Sequence, residues 1–124
     1  MAVEKSEKAG VKVNFITGDF WKIKFDDGVF DLVSDRGFFH ILNPSRREEF
    51  AVKVNKLLEN RGFYYLRCMS DKSEGESGPY RISKDIIERT FSKYFDTLEI
   101  TDVPWGGRGM WSYVCLLRKR GRES

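Results

Sequence analysis

The residues best placed to do chemistry are carboxylates that end two apolar, strand-like segments. Residues 13–20 (VNFITGDF) reach Asp19, and residues 28–37 (GVFDLVSDRG) reach Asp35 and Arg36. A carboxylate at the carboxyl end of a strand lies at the crevice where open α/β sheets bind ligands. The pattern therefore indicates a ligand-binding cleft. The alternatives are a solvated turn carboxylate at Asp19 and a structural ion pair between Asp35 and Arg36.

The remaining candidates for catalysis or metal binding are one histidine and two cysteines. His40 stands in an apolar FFHIL run, where it is either a general base or a packed helix residue. Cys68 and Cys115 fall in apolar strand-like runs and are predicted to be buried free thiols. One histidine and two distant cysteines cannot form a zinc site, so no metal is predicted.

Composition indicates a globular protein, because 40% of the 124 residues are apolar and 15% are aromatic. The length favours one domain, residues 1–118, followed by a basic tail, residues 119–124. Residues 118–122 (RKRGR) supply much of the net charge of +3. They could touch RNA or an acidic surface, or remain solvated. With no apolar run of membrane-spanning length and no signal peptide, we expect a cytoplasmic protein.

Apolar periodicity and capping residues predict alternating strands and helices. Ser45 and Glu48 have the spacing of a capping box, and Ser83 is expected to cap a second helix. The predicted elements are the end of a helix at 2–9, strands at 11–16 and 29–34, a linker at 21–27, a helix from 45 to 60–62, a strand at 63–69, a mobile loop at 70–78, a helix at 84–94, and strands at 97–103 and 111–117.

This order of elements predicts an α/β fold with about five strands. Alternation of strands with helices favours a mostly parallel sheet with helices packed on its faces. The strand at 29–34 is nearly all apolar and is expected to be covered on both faces. The last two strands are joined by a glycine-containing loop without a helix, so they are expected to be antiparallel neighbours.

Three short sequence motifs occur in an order that is typical of one enzyme family. Gly-Asp-Phe lies at residues 18–20 and Asp-Arg-Gly at residues 35–37. The third motif, Arg61-Gly62, follows the next predicted helix. In this order the chain resembles the second half of class I S-adenosylmethionine-dependent methyltransferases, most closely the small-molecule enzymes of the thiopurine and tellurite-resistance type. The resemblance covers about residues 2–118. It implies a truncated Rossmann-like methyltransferase sheet whose last strand is antiparallel.

The resemblance also implies a cofactor, S-adenosylmethionine, and the residues that would bind it. Asp19 would accept a hydrogen bond from the adenine amino group, and Phe20 would pack on the ring or offer its backbone to it. Ser34 and Asp35 would complete the cofactor-binding set, with Asp35 near the sulfonium.

For the methyl acceptor, the resemblance implies a small molecule in a cleft lined by Asp35 and Arg36. Arg36 would hold an anionic acceptor by a forked hydrogen bond, and His40 would be the candidate base. Tyr80 and Trp105 are candidates for the aromatic walls of the acceptor pocket, with ordinary packing as the alternative for both.

The family's glycine-rich cofactor loop and its ribose-binding carboxylate are missing from the sequence. The glycine cluster at 106–109 (GGRG) lies between the last two predicted strands and fits a hairpin loop instead. In the family's strand order, 3-2-1-4-5-7-6, the absent first strand lies beside the fourth. The strand at 29–34 would then expose an apolar edge. Either the strand at 11–16 pairs there, or the edge binds a second copy or a partner chain.

Two functions are compatible with these features. The first is that of a methyltransferase-like protein acting on a small molecule, with a cofactor site that this chain alone leaves incomplete. The alternative is a non-enzymatic interaction module or split subunit that pairs through its open sheet edge. A nucleic-acid acceptor is disfavoured, because no motif similar to Asn/Asp-Pro-Pro-Tyr follows the strand at 29–34.

Overall fold

The computed structural model describes residues 2–5, 11–14, 17–22, 28, 30–75, 78–106 and 109–120. Two short 3₁₀ turns, Phe39–Ile41 and Pro44–Arg46, precede the longest helix. The strands and helices, in chain order, are β1 (Ala2–Lys5), β2 (Val11–Asn14), α1 (Thr17–Lys22), β3 (Phe30–Arg36), α2 (Arg47–Leu57), β4 (Leu58–Met69), α3 (Lys84–Phe91), β5 (Phe95–Pro104) and β6 (Trp111–Lys119).

The described strands form one six-stranded sheet in the order β2-β1-β3-β4-β6-β5. β3 and β4 are parallel, whereas the other four neighbouring pairs are antiparallel. The α/β class and the antiparallel last strand are confirmed, and the count of about five strands is not confirmed. The expectation of a mostly parallel sheet is wrong for the described strands. The reason is that α2 is the one described helix that carries the chain between two strands paired in parallel.

β1 fills the position beside β3 that the sequence left open. Its residues pair antiparallel with β3, with Ala2 opposite Ser34, and β2 lies outside β1. The end of a helix expected at residues 2–9 is therefore wrong for Ala2–Lys5, because pairing with the β3 edge satisfies the backbone groups of these residues. Residues 6–9 lie outside the described residues. On this side the neighbour of β3 is thus β1 and not the strand at 11–16, and pairing with a partner chain stays a prediction.

The start of α2 differs from the predicted capping box. Asn43, not Ser45, accepts the capping hydrogen bond, which the Ser45 backbone N–H donates to Asn43 Oδ1 at 3.0 Å. Pro44 then forms the first residue of the short turn, so the α-helix itself begins only at Arg47.

The junction between α2 and β4 is tighter than the predicted ending at residues 60–62. β4 begins at Leu58, immediately after α2, and its pairing with β3 shifts register between Leu58 and Phe63. Arg61 adopts a φ of 65° within this irregular stretch. A Cβ atom added at Gly62 would lie 3.0 Å from the Glu59 carbonyl oxygen, so this close approach requires glycine.

The predicted cap of α3 is confirmed, since Ser83 Oγ accepts a hydrogen bond from the Ile86 backbone N–H at 3.1 Å. The helix ends at Phe91, earlier than predicted, and β5 begins at Phe95. At the other end of the chain β6 continues through Lys119, a residue assigned to the tail. The Lys119 ammonium donates to the carbonyl oxygens of Asn55 and Leu58 at 2.6 and 2.7 Å, which fixes it at the end of α2.

The hydrophobic core lies between the described helices and one face of the sheet, which we call the covered face. Alternate strand residues point into it, and both cysteines are buried there as free thiols, as predicted. Burial raises the pKa of the Cys115 thiol to about 12. The fully buried aromatic rings of this core are those of Phe20, Phe39, Phe50, Tyr64, Phe91 and Phe95.

The opposite face of the sheet, which we call the open face, carries none of the described helices. Leu32, Phe63, Tyr65 and Leu116 alternate with buried neighbours and are half-exposed on this face. The described helices cover β3 on one face, and the expectation that its other face is covered as well stays a prediction. In the described part of the chain, no helix is long and apolar enough to cross a membrane.

Candidate functional site

The candidate site lies at the carboxyl ends of β3 and β4, the pair of parallel strands. Arg36 and Arg67 are register partners there. After β3 the chain turns at Gly37, whose φ of 116° favours glycine, into the Phe39–Ile41 turn. A Cβ at Gly37 would lie 3.1 Å from His40 Nε2, so the glycine also lets the histidine ring pack beneath the turn.

Asp35 is fully buried and uses its carboxylate to hold this turn. One oxygen accepts from the Phe38 backbone N–H at 2.7 Å, and the other accepts from the Phe39 N–H at 3.1 Å and the Tyr64 hydroxyl at 2.9 Å. Burial raises the pKa of Asp35, and the three hydrogen bonds offset part of that rise. The described structure therefore gives Asp35 a capping role and no ion pair with Arg36.

Arg36, the next residue, lies on the other side of the sheet and is exposed. Strand alternation separates its side chain from the buried Asp35 carboxylate. Ser34 shares the open face with Arg36 and is half-buried beside Tyr65. The sequence-predicted set of Ser34, Asp35 and Arg36 is thus split between the two faces.

His40 is buried and its ring is held by two contacts. Nδ1 accepts a hydrogen bond from the Met69 backbone N–H at 2.7 Å, and the ring stacks on Trp105 at 5.3 Å between centroids. Burial lowers the pKa of His40 to about 4, so the imidazole is neutral near pH 7. Because Nδ1 accepts, we assign the proton to Nε2. Of the two roles predicted for His40, this geometry favours a packed residue over a general base.

The aromatic wall residues both lie near His40. Trp105 stacks on its ring, and the Tyr80 backbone N–H donates to the His40 carbonyl oxygen at 2.9 Å. Tyr80 is 45% exposed, with the Arg47 guanidinium 5.7 Å from its ring centroid. Trp105 thus contacts His40 through its ring, Tyr80 contacts His40 through its backbone, and their role as walls of an acceptor pocket stays a prediction.

Arg67 is a member of this site that the sequence prediction missed. Its guanidinium lies 5.0 Å from the Trp105 ring centroid, and one of its nitrogens is 3.5 Å from the Pro104 carbonyl oxygen. An arginine between Leu66 and Cys68 in an otherwise apolar strand was the available signal. Together Arg36 and Arg67 place two positive charges at the carboxyl ends of β3 and β4.

The residues predicted to bind adenine lie on α1. The Phe20 ring is buried against Phe38 and Phe50 at centroid distances of 5.2 and 5.3 Å, so it belongs to the core. Of the two roles predicted for Phe20, stacking on adenine is incompatible with this packing, and the backbone contact stays a prediction. The side chain of Asp19 lies outside the described residues.

The comparison with known families agrees with the order of strands in the sheet. The family model described as thiopurine S-methyltransferase matches residues 2–104. The chain belongs to the thiopurine S-methyltransferase family. The order β3-β4-β6-β5 is the 4-5-7-6 half of the strand order expected from the resemblance.

Solved structures of low sequence identity share the fold of this family member. An S-adenosylmethionine-dependent methyltransferase from Methanosarcina mazei has a TM-score of 0.67 at 12% identity, with 81% of this chain and 64% of that chain covered. The 1,6-didemethyltoxoflavin-N1-methyltransferase of Burkholderia thailandensis, solved with bound 1,6-didemethyltoxoflavin and S-adenosylhomocysteine, has a TM-score of 0.64 at 18% identity. The match covers 78% of this chain and 47% of that chain.

A third solved structure shows that this fold is not restricted to methyl transfer. The [4+2]-cyclase SpnF has a TM-score of 0.69 at 11% identity, with 84% of this chain and 54% of that chain covered. The present chain therefore spans between about half and two-thirds of the length of these three proteins. The fold alone does not fix the reaction.

The described residues supply only part of a site for the methyltransferase cofactor. The Asp35 carboxylate is taken up by three donors, the Phe20 ring is in the core, and the GGRG cluster follows β5 rather than a strand that leads into a helix. In the same part of the chain, no three metal-ligating side chains cluster. The described residues therefore do not enclose a site for the family's cofactor, and binding of the cofactor at the end of β3 stays a prediction.

Proposed function

We propose that this chain forms the acceptor side of an S-adenosylmethionine-dependent methyltransferase for a small molecule. The family match over residues 2–104 carries the proposal. The exposed Arg36 and the aromatic group of Tyr80, His40 and Trp105, at the carboxyl ends of parallel strands, agree with it.

Methyl transfer makes few demands on side chains, which is compatible with a site that has no nucleophile. The cofactor's sulfonium already makes the methyl group electrophilic. This chain's residues would orient the acceptor and exclude water. Arg36 would hold an anionic group of the acceptor through paired hydrogen bonds, and Trp105 would form one wall. Asp35 would act indirectly, by fixing the turn that places His40.

We further propose that cofactor binding requires residues beyond the described site, from the same protein or from a partner. The solved structures that share the fold are longer than this chain. A homodimer remains a proposal, with β2 and β5 as the outer strands of the described sheet. A cytoplasmic location is proposed as well, in keeping with two free thiols. Light scattering over a wide concentration range tests self-association, which a constant monomer mass would contradict.

To test the cofactor proposal, the 124-residue chain is titrated with S-adenosylhomocysteine while NMR records the chemical shifts of its backbone amides. We expect weak binding, in the millimolar range or about −4 kcal/mol, with shifts at the amides of Arg36, Gly37 and His40. Calorimetry with S-adenosylmethionine on the same sample would give little heat. Shifts confined to other parts of the chain, or no shifts at saturating ligand, would overturn the proposal.

A variant pair separates the anionic acceptor from the cofactor. Arg36→Gln removes the exposed cation at the site, and Arg89→Gln removes a cation from α3, where Arg89 pairs with Asp85 on the surface at 2.7 Å. We expect weaker binding of anionic acceptors with Arg36→Gln alone, and unchanged binding of S-adenosylhomocysteine with both. Equal loss with both variants would mean that charge in general, and not Arg36, holds the acceptor.

A further inference from the structure

Residues 70–82 connect β4 to α3 as a loop whose two ends lie side by side. Ser70 and Ile82 are paired in a parallel β-bridge. The Ile82 backbone N–H donates to the Met69 carbonyl oxygen at 2.8 Å, and the Asp71 N–H donates to the Ile82 carbonyl oxygen at 3.1 Å. Compact loops with adjacent ends are Ω-loops, which frequently carry function. The contacts of this loop therefore bear on the site beside it.

The first arm of the loop, residues 70–75, is bonded to the hairpin between β5 and β6. Ser73 Oγ accepts from the Trp111 backbone N–H and donates to the Trp111 carbonyl oxygen, both at 2.8 Å. The Glu74 backbone N–H donates to the Gly109 carbonyl oxygen at 3.0 Å. These hydrogen bonds fix the first arm to the hairpin.

The second arm, residues 78–82, is bonded to the turn that follows β3. The Tyr80 backbone N–H donates to the His40 carbonyl oxygen at 2.9 Å. The His40 ring stacks on Trp105, whose own N–H donates to the Met110 carbonyl oxygen at 2.9 Å within the hairpin. The second arm thus carries one predicted wall residue, and the hairpin that holds the first arm carries the other.

Arg81 connects the two arms. Its guanidinium donates to the Pro79 carbonyl oxygen at 2.8 Å and to the Glu74 carbonyl oxygen at 2.7 Å. One carbonyl belongs to each arm, and the planar fork of the guanidinium holds both at once. Tyr80 lies between Pro79 and Arg81 in the chain. Its backbone is therefore held from two sides, by the contacts of Arg81 and by the His40 carbonyl.

We propose that Arg81 is a positioning residue for the acceptor site, because by joining the two arms it keeps Tyr80 in place relative to the hairpin that carries Trp105. The inference rests on the proposed function, which takes these two aromatic residues as walls of the acceptor pocket. Arg81 acts through the loop, since both terminal nitrogens of its guanidinium donate to the loop's own backbone. Its loss would release Tyr80 and leave Trp105 stacked on His40.

Backbone amide hydrogen exchange of the 124-residue chain, recorded by NMR without any ligand, tests this coupling. The reporter is the Tyr80 N–H, which donates to the His40 carbonyl. We expect Arg81→Gln to speed its exchange about tenfold, because the two hydrogen bonds that tie the second arm to the first are lost. Ser73→Ala removes the bonds of the first arm to Trp111 and should speed Tyr80 exchange about threefold.

The double variant separates positioning from a general loss of stability. If the first arm acts on Tyr80 through Arg81, Ser73→Ala should have no further effect on Tyr80 exchange in the Arg81→Gln background. A role in stability alone would make the two effects additive and would speed exchange of the α3 amides as well. Additive effects would therefore overturn the proposal.

Arg89→Gln is the matched control, because it removes an arginine from α3, where Arg89 pairs with Asp85 at the surface. It should leave Tyr80 exchange unchanged. Unchanged Tyr80 exchange in Arg81→Gln would overturn the proposal, and so would unchanged exchange in Ser73→Ala, which tests it even if Arg81→Gln does not fold. Failure of S-adenosylhomocysteine to bind would count against the proposed function alone, because this experiment uses no ligand.

Discussion

The two faces of the sheet use their polar residues in different ways, and Asp35 and Arg36 show this at adjacent positions. On the covered face, Asp35 has both carboxylate oxygens engaged by groups of its own chain. On the open face, Arg36 is exposed and forms no described ion pair. Burial thus turns a candidate catalytic carboxylate into a structural one, whereas the neighbouring arginine stays in contact with solvent.

The largest expected difference between the faces is in aromatic packing. Phe50→Ala would empty a fully buried site where its ring lies 5.3 Å from Phe20 and 5.4 Å from Phe38. We expect unfolding free energy to fall by about 4 kcal/mol. Phe63→Ala on the open face should cost about 1 kcal/mol, because that ring is already half-exposed. Urea denaturation of both variants measures the difference, and similar costs would mean that the open face is packed after all.

The second test compares the two neighbouring charges at the end of β3. Asp35→Ala would leave the N–H groups of Phe38 and Phe39 and the Tyr64 hydroxyl without their acceptor, so we expect a loss of about 3 kcal/mol. Arg36→Ala should change stability by less than about 0.5 kcal/mol. Urea denaturation at pH 7 measures the change in stability of both variants from their midpoints. A loss below about 1 kcal/mol for Asp35→Ala would contradict the capping role.

A smaller difference is expected from replacing a methyl group by a hydroxyl on each face. Val33 is fully buried on the covered face, and Val114 is half-exposed on the open face. Val33→Thr should cost about 2 kcal/mol, because it buries a hydroxyl in an apolar site. Val114→Thr should stay within about 0.5 kcal/mol. Thermal unfolding of the two variants measures both losses of stability. A larger loss for Val114→Thr than for Val33→Thr would mean that the two faces have been assigned incorrectly.

Much of the second half of the fold could be predicted from local sequence signals. The Ser83 cap, the strand that became β4 and the antiparallel β5–β6 pair depend on patterns within a few residues. Residues 2–5 have no such pattern, and their strand conformation comes from pairing with β3. Which face of β3 the described helices cover is likewise a tertiary property, which the apolar sequence of the strand does not specify.

The sequence could place Asp35 and Arg36 at the end of a strand but could not show the surroundings of their side chains. The structure has both residues at the carboxyl end of β3, as predicted. The sequence could not show that Tyr64, far along the chain, donates to Asp35. Nor could it show that Arg67 stacks on Trp105, because that contact joins β4 to the end of β5.

The last prediction uses pH to test the packed state of His40. Its pKa is lowered by burial from 6.5 to about 4, so the unfolded chain binds a proton at a pH where the folded chain does not. This contribution to stability is fully present above pH 6.5 and declines as the pH falls toward 4. The decline from this one group is at most about 1.4 kcal/mol per pH unit.

The comparison variant for this test is His40→Asn, whose side-chain oxygen can still accept from the Met69 N–H but does not titrate. Urea denaturation at several pH values from 7 to 5 gives both slopes, and the carboxylates contribute equally to each. The unsubstituted chain should lose stability more steeply than the variant in this range. Equal slopes would mean that His40 has the same pKa in the folded and the unfolded chain, and would restore it as a candidate proton donor or acceptor at the site.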